Sequence, residues 1–217
     1  MIEALNIIII GLSAFIATNI DDIFVLMILF SNKDYKSYEI VFGQYIGFFT
    51  LILISLTAYW LKFVVSSQFI AILGIFPIII GIKKLLDYYR ENILYLPFNE
   101  NDNESEKHTK NKIKKSFLKN KYKTAISPLA VALITISNGG DNIGIYAPLF
   151  ASYGLSELLI TLTVFFIMVG VWCFIGKNLV SNSIFKEKIV NYEKYLHLLM
   201  PLVLIGLGIS IIIFNAF

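Results

Sequence analysis

Two short polar motifs interrupt apolar stretches of this sequence, and both carry side chains with oxygen donors. The candidate site residues are three carboxylates and three amides: Asn19, Asp21, Asp22, Asn138, Asp141 and Asn142. A charged side chain at the centre of a membrane helix costs roughly 2.5–3.5 kcal/mol, and such residues usually mark ion or proton pathways. Carboxylate, amide and carbonyl oxygens suit a divalent cation, whose charge would offset that cost. The motifs therefore predict a divalent metal site.

The second motif repeats the spacing of the first. Asn19 and Asp22 are three residues apart, as are Asn138 and Asp141, and the second pair follows 119 residues after the first. Because residues three apart share a helix face, each motif presents an amide and a carboxylate on one side. The glycine pair inside the second motif predicts a break in its helix that exposes backbone carbonyls as further donors. Nearby hydroxyls add to the set: Ser13, Thr18, Thr135 and Ser137.

Composition indicates a membrane setting. With 57% hydrophobic and 15% charged residues and a mean hydropathy of +0.75, the chain is typical of polytopic membrane proteins. The single cysteine, Cys173, excludes an internal disulfide and is expected to be a small buried hydrophobe, and two histidines leave little room for a zinc site. The net charge of +3 resides in loops, so nothing indicates nucleic-acid binding.

The hydrophobic pattern predicts an all-α fold with six transmembrane helices. Their expected ranges are Leu5 to Phe30, Ile40 to Leu61, Phe69 to Leu86, Ala125 to Phe150, Leu155 to Ile175 and Leu196 to Phe214. Of the 18 Lys and Arg residues, only Lys62 falls in the loops on one side of these spans. The positive-inside rule then places the other loops in the cytoplasm and both termini outside.

Six spans divide into two sets of three, and the second set enters the membrane from the opposite face. We therefore expect two inverted three-helix repeats, residues 1–86 and 125–217, which is a transporter architecture with a central substrate site. Residues 87–124 form the expected cytoplasmic linker, with an acidic part and a lysine-rich part. The lysine-rich part is expected to contact membrane lipids, and a regulatory role for the linker is left open.

The second predicted helix carries two further features. Gly43 and Gly47 form a small-residue pair that we interpret as a packing surface. Gln44 either supports the predicted metal site or makes a simple bond between helices, and the sequence leaves both interpretations open.

The two motifs, Thr18-Asn-Ile-Asp-Asp22 and Ser137-Asn-Gly-Gly-Asp-Asn142, resemble those of the cadmium resistance transporter family in the lysine exporter superfamily. The resemblance implies export of cadmium or another divalent ion from a bacterial cytoplasm by an integral plasma-membrane protein. It also implies that the six candidate residues form the ion site. Ligand softness alone favours calcium, manganese or magnesium at oxygen donors, so the identity of the ion stays open.

For the mechanism, we expect a transporter and not an enzyme, with the divalent cation as substrate and no resident cofactor. Alternating access would exchange the metal ion for protons at the carboxylates. One alternative is an exporter of a small cationic solute such as an amino acid. Another is an intramembrane aspartyl protease, whose two aspartates share one proton. The sequence leaves a homodimer open.

Overall fold

The computed structural model describes residues 2–32, 35–93, 128–181 and 183–216, and all regular structure in these ranges is helical. Eight helices follow one another within them: α1 (Ile2–Ser31), α2 (Ser37–Leu61), α3 (Ser67–Leu73), α4 (Ile75–Ile93), α5 (Pro128–Asn138), α6 (Gly140–Ser152), α7 (Leu155–Ser181) and α8 (Ser183–Ala216). The expected all-α class is confirmed for these ranges.

Five helical segments in the described ranges are long and apolar enough to cross a membrane. They are Glu3–Ser31, Ser37–Leu61, Gln68–Arg90, Leu155–Val180 and Leu198–Asn215. The third of them joins α3 and α4 across a turn at Gly74. The predicted fourth span is divided instead, because α5 ends at Asn138 and α6 begins at Gly140. The polytopic membrane class is thus supported, while the count of six spans stays a prediction.

The predicted linker of residues 87–124 begins as helix. Helix α4 continues to Ile93, and Arg90 in its last turn interacts favourably with the negative end of the helix dipole. Residues 94–127, which include the lysine-rich part of the linker, lie outside the described ranges.

The helices pack in three main groups, and each group combines helices from the first and the second half of the chain. Helix α1 packs along α7, α2 packs along α5 and α6, and both α3 and α4 pack along α8. Each group therefore depends on contacts between helices that are distant in the sequence. Three polar residues of the motifs are consequently buried inside the bundle: Asn19, Asp22 and Asn142.

Close contact between α2 and α5 depends on glycine. A Cβ atom at Gly47 would lie 2.6 Å from Cβ of Thr135 and 2.8 Å from the carbonyl oxygen of Ala132. A Cβ atom at Gly43 would collide in the same way with Val131, which also lies on α5. The packing role predicted for this glycine pair is confirmed, and it allows the backbones of α2 and α5 to approach closely.

An aromatic cluster fills the core beside the polar motifs. The ring centroids of Tyr146 and Phe165 are 4.6 Å apart, and those of Phe15 and Trp172 are 5.3 Å apart in an edge-to-face arrangement. Large apolar side chains also cover the outside of the bundle, as at Phe174, which is 70% exposed. Such an exterior is typical of helices that face lipid.

Candidate functional site

The first motif lies in the interior of α1, and two of its three site residues share a face while the third points elsewhere. Asn19 and Asp22 are 1% and 5% exposed and share the buried face, as their spacing predicts. The side chain of Asp21 is 47% exposed and points toward α4. Helix α1 is continuous through the motif, so its backbone carbonyls remain in helical hydrogen bonds. The site on this side is therefore built from side chains.

The second motif lies at the junction between α5 and α6. The predicted helix break is confirmed and is short, because only Gly139 separates the two helices. Its amide donates to the carbonyl oxygens of Thr135 and Ile136 at 2.9 and 3.3 Å, which ends α5 with local bonds. A Cβ atom at Gly139 would collide with the side chain of Leu51 on α2. Glycine thus allows the junction to lie against α2.

Asp22 lies beside amides from two other helices. Nδ2 of Asn138 donates to Oδ1 of Asp22 at 2.5 Å, which joins α5 to α1. The side chain of Gln44 on α2 lies near this carboxylate, and its Oε1 accepts a 2.7 Å hydrogen bond from Oγ1 of Thr135. Gln44 therefore makes the predicted bond between helices, while its support of a metal site stays a prediction.

Asn19 links α1 to α6. Its Oδ1 accepts from Nδ2 of Asn142 at 3.1 Å, and its own Nδ2 donates to the hydroxyl oxygen of Tyr146 at 2.7 Å. The same hydroxyl lies 2.6 Å from Oγ1 of Thr18. Nε1 of Trp172 on α7 donates to the backbone oxygen of Asn19 at 2.7 Å. These bonds fix the orientation of the Asn19 amide.

Asn142 keeps one acceptor available. Its side chain is 1% exposed, and its Oδ1 has no hydrogen-bond partner within the ranges that the structure describes. Leaving a buried amide oxygen without a hydrogen bond costs about 1–3 kcal/mol, so such an oxygen in a native protein usually binds an ion or a water molecule or has another functional role. This oxygen is a candidate ligand.

The two remaining carboxylates share a lysine. Nζ of Lys84 on α4 lies 2.8 Å from Oδ2 of Asp141 on α6 and 3.7 Å from Oδ2 of Asp21 on α1. The side chains of Lys84 and Asp141 are 26% and 25% exposed, so the stronger pair is partly shielded from solvent. The lysine joins three helices through charge, and it neutralises one of the two carboxylates that it contacts.

A cleft of about 180 Å³ gives access to this ion pair. It lies between α1, α4 and α8, and its lining residues are Ile20, Asp21, Lys84, Asp87, Tyr88, Met200 and Pro201. Asp21 and Lys84 therefore border open space, whereas Asp22 is enclosed by protein.

The six predicted residues thus form two connected groups. Four of them make a network of amides and one carboxylate, in which Asn138 is exposed and the other three residues are buried: Asn19, Asp22, Asn138 and Asn142. The other two, Asp21 and Asp141, belong to the ion pair with Lys84, and both lie within electrostatic range of Asp22. No group of three or more His, Cys, Asp and Glu side chains that could hold a metal ion occurs among the described residues.

Lys84 and Tyr146 are the residues that sequence reasoning missed. In the sequence, Lys84 served only as one of the positive charges that predict the topology. A lysine inside a predicted apolar span also indicates a partner of opposite charge within the membrane. Tyr146 gave no signal, because an aromatic residue in an apolar helix is ordinarily a core residue. Cys173 is 4% exposed within the apolar core, as expected.

Comparison with known proteins gives one result. A family model described as a cadmium resistance transporter matches residues 15–217, nearly the whole chain. No curated protein and no solved structure matches the chain. The matched range includes both polar motifs and all eight helices except the first turns of α1.

Proposed function

Because the chain belongs to the cadmium resistance transporter family, we propose that it exports a divalent cation, with cadmium the expected ion, from a bacterial cytoplasm. The observation that carries the proposal is the convergence of two distant polar motifs. Asn138 bonds Asp22 and Asn142 bonds Asn19 across helices of opposite halves of the chain. This arrangement concentrates oxygen donors at one place inside an apolar bundle, where a cation would offset their burial.

The cation would be held by residues from α1 and α6. The carboxylates of Asp21, Asp22 and Asp141 supply charge, and the unpartnered oxygen of Asn142 supplies a neutral donor. Oxygen donors suit hard divalent ions better than soft ones, so cadmium is the expected substrate on the strength of the family and not of the ligand set. Manganese, zinc and calcium belong in the same test.

The fold of the transporter is proposed to be two inverted three-helix repeats. In such a repeat, α1 is equivalent to α5 with α6, α2 is equivalent to α7, and α3 with α4 is equivalent to α8. The packing of α1 on α7 then has its counterpart in the packing of α5 and α6 on α2. The packing of α3 and α4 on α8 is its own counterpart. These are the three main packing groups, so the pairing supports the repeat. Helices α5 and α6 have 11 and 13 residues, together about 36 Å at 1.5 Å per residue, which suffices for the sixth crossing.

Both termini are proposed to lie outside the plasma membrane. The uneven distribution of Lys and Arg among the loops supports this orientation. The cleft that reaches Asp21 also contains Asp87 near the end of α4, which precedes the lysine-rich segment. With this orientation the cleft is a cytoplasmic entrance to the site.

The coupling is proposed to be proton exchange. The carboxylates would release protons on binding the metal ion from the cytoplasm and regain them after discharging it outside. Asp22 and Asp141 bond different partners, Asn138 and Lys84, whereas a proteolytic pair shares one proton between its carboxylates. This difference favours transport over the protease alternative.

Flux through reconstituted vesicles tests the proposal. Purified protein is incorporated in liposomes, and cadmium uptake is followed with a fluorescent indicator in the presence and absence of a pH gradient. We expect uptake that depends on the gradient and is lost in Asp141→Asn. Glu3→Gln is the matched control, because Glu3 is an exposed carboxylate on α1. Uptake of cadmium, zinc, manganese and calcium that is equal to that of protein-free liposomes would overturn the proposed function.

A further inference from the structure

Lys84 is a cation of the chain itself, located where the proposed substrate would bind. Its Nζ contacts Oδ2 of Asp141 at 2.8 Å and Oδ2 of Asp21 at 3.7 Å. These carboxylates belong to different helices, so the ammonium connects α4 with both α6 and α1. Oxygen ligands surround a bound calcium ion at about 2.3–2.6 Å. A metal ion that bridged Asp21 and Asp141 would therefore need the volume that the ammonium group fills.

We propose that Lys84 is a tethered substitute for the transported cation. It neutralises one charge of the Asp21 and Asp141 pair when the site is empty, which leaves the exchanged protons of the proposed cycle to the other carboxylates, and it is displaced when a divalent cation binds. The inference rests on the proposed function, because it assigns a role within that transport cycle. The exchange is a competition between two cations and needs no proton transfer by Lys84.

The physical reason lies in the return step of a transporter. An exporter must change conformation with an empty site after it has released its ion, and uncompensated carboxylates inside an apolar bundle are costly. Asp22 is compensated separately, since its carboxylate accepts a hydrogen bond from Asn138. Asp21 and Asp141 have no such amides among the described contacts, and Lys84 supplies one compensating charge, mainly to the less exposed Asp141.

The cleft provides a place for the displaced side chain. Asp87 follows Lys84 by three residues on α4 and lines the same cleft. Residues three apart on a helix are neighbours, so the ammonium group can move from Asp141 to Asp87 by a change of rotamer. Lys84 would then keep a carboxylate partner while the metal ion occupies its former position.

This device belongs to one half of the chain. By the spacing of 119 residues that relates the two motifs, the position equivalent to Lys84 is Val203 on α8. Valine carries no charge, so the second half offers no lysine at that position. The site therefore holds a single substitute charge and not a symmetric pair.

Metal binding by full-length protein in detergent tests the competition. Isothermal titration with cadmium and manganese compares the wild type with Lys84→Gln and Lys84→Arg. Lys83→Gln is the matched control, because Lys83 is an exposed neighbour on the same helix. We expect Lys84→Gln to bind at least about 10-fold more tightly, whereas Lys84→Arg and Lys83→Gln stay within about twofold of the wild type. Binding by Lys84→Gln that is equal to or weaker than wild-type binding would overturn the inference.

Chemical rescue separates charge from folding. In a Cys173→Ala background, Lys84→Cys is treated with 2-aminoethyl methanethiosulfonate, which restores a primary ammonium, or with the neutral methyl reagent. We expect the ammonium adduct to return to wild-type affinity and the methyl adduct to keep the tighter binding. Identical affinities of the two adducts would contradict the role of charge.

Vesicle flux then distinguishes this inference from the proposed function. Without Lys84 the empty carrier cannot return readily, but the loaded carrier can still move. We expect Lys84→Gln to lose at least about 10-fold in net cadmium efflux while it retains exchange of labelled for unlabelled cadmium. An equal loss of both fluxes, with wild-type transport intact, would overturn the inference alone. Absence of binding and flux in the wild type would overturn the proposed function together with it.

Discussion

Nδ2 of Asn138 donates to Oδ1 of Asp22 at 2.5 Å, and this bond connects residues that are 116 positions apart in the chain. Each residue belongs to one of the two polar motifs, so the bond joins the motifs directly. Asp22 is 5% exposed, so the amide of Asn138 replaces water at its carboxylate. The relationship makes Asp22 the buried centre of the proposed cation site, and its consequences can be measured.

Replacement of Asp22 by asparagine should abolish most metal binding with little change in fold. The amide is isosteric with the carboxylate and keeps an oxygen for the bond from Asn138, but it removes a negative charge from the site. We expect cadmium affinity to fall at least about 10-fold, which is the scale at which ligand-shell changes act. Titration calorimetry measures it, with Glu3→Gln as the control. Unchanged affinity in Asp22→Asn would show that the ion binds elsewhere.

Replacement of Asn138 by alanine should destabilise the protein through Asp22. The buried carboxylate would lose its closest donor, and leaving such a group unsatisfied costs about 1–3 kcal/mol. Thermal unfolding in detergent, followed by circular dichroism, should show a lower midpoint. Asn215→Ala is the comparison, because that amide donates to the Ile211 carbonyl of its own helix. Equal midpoints for the two variants would refute the structural importance of the bond.

Replacement of Gly47 by alanine should loosen the contact between α2 and α5. The new methyl group would lie 2.6 Å from Cβ of Thr135, which forces the helices apart at a cost of about 1–3 kcal/mol. Gly206→Ala is a sharp control, since no atom lies within 4 Å of a Cβ built there. Unfolding midpoints of the two variants give the comparison. A lower unfolding midpoint for Gly206→Ala than for Gly47→Ala would contradict the close contact between α2 and α5.

Cysteine labelling tests the proposed orientation. In a Cys173→Ala background, a cysteine at Val64, which is 83% exposed, should react with an impermeant maleimide added to whole cells. A cysteine at Ser105, in the predicted linker, should react only after the cells are opened. The reverse labelling pattern would show that the topology is inverted and that the cleft opens to the outside of the cell.

Local features of the site were predictable because they depend on helix geometry. The burial of Asn19 and Asp22 on one face follows from their spacing of three residues, and the interruption at Gly139 follows from the glycine pair. The small-residue pair at Gly43 and Gly47 likewise indicated close packing. Each inference needed only residues within one or two helical turns.

The pairings between helices were decided by the tertiary structure. Asp141 and Lys84 lie on α6 and α4, and no periodicity in either helix indicates that the two side chains meet. The position of the Tyr146 hydroxyl beside Thr18 and Asn19 is equally invisible in the sequence. Such contacts depend on which helices are neighbours and on their rotation.

The sequence by itself determined that the chain is helical and apolar, and that two groups of oxygen donors lie inside its helices. The reason is that helix periodicity and the cost of burying charge are properties of short segments. Only the tertiary structure decided that these donors divide into an enclosed group around Asp22 and an accessible group around Lys84. That division arises from long-range packing of α1, α4, α5 and α6, in which each residue is placed by helices distant from it in sequence.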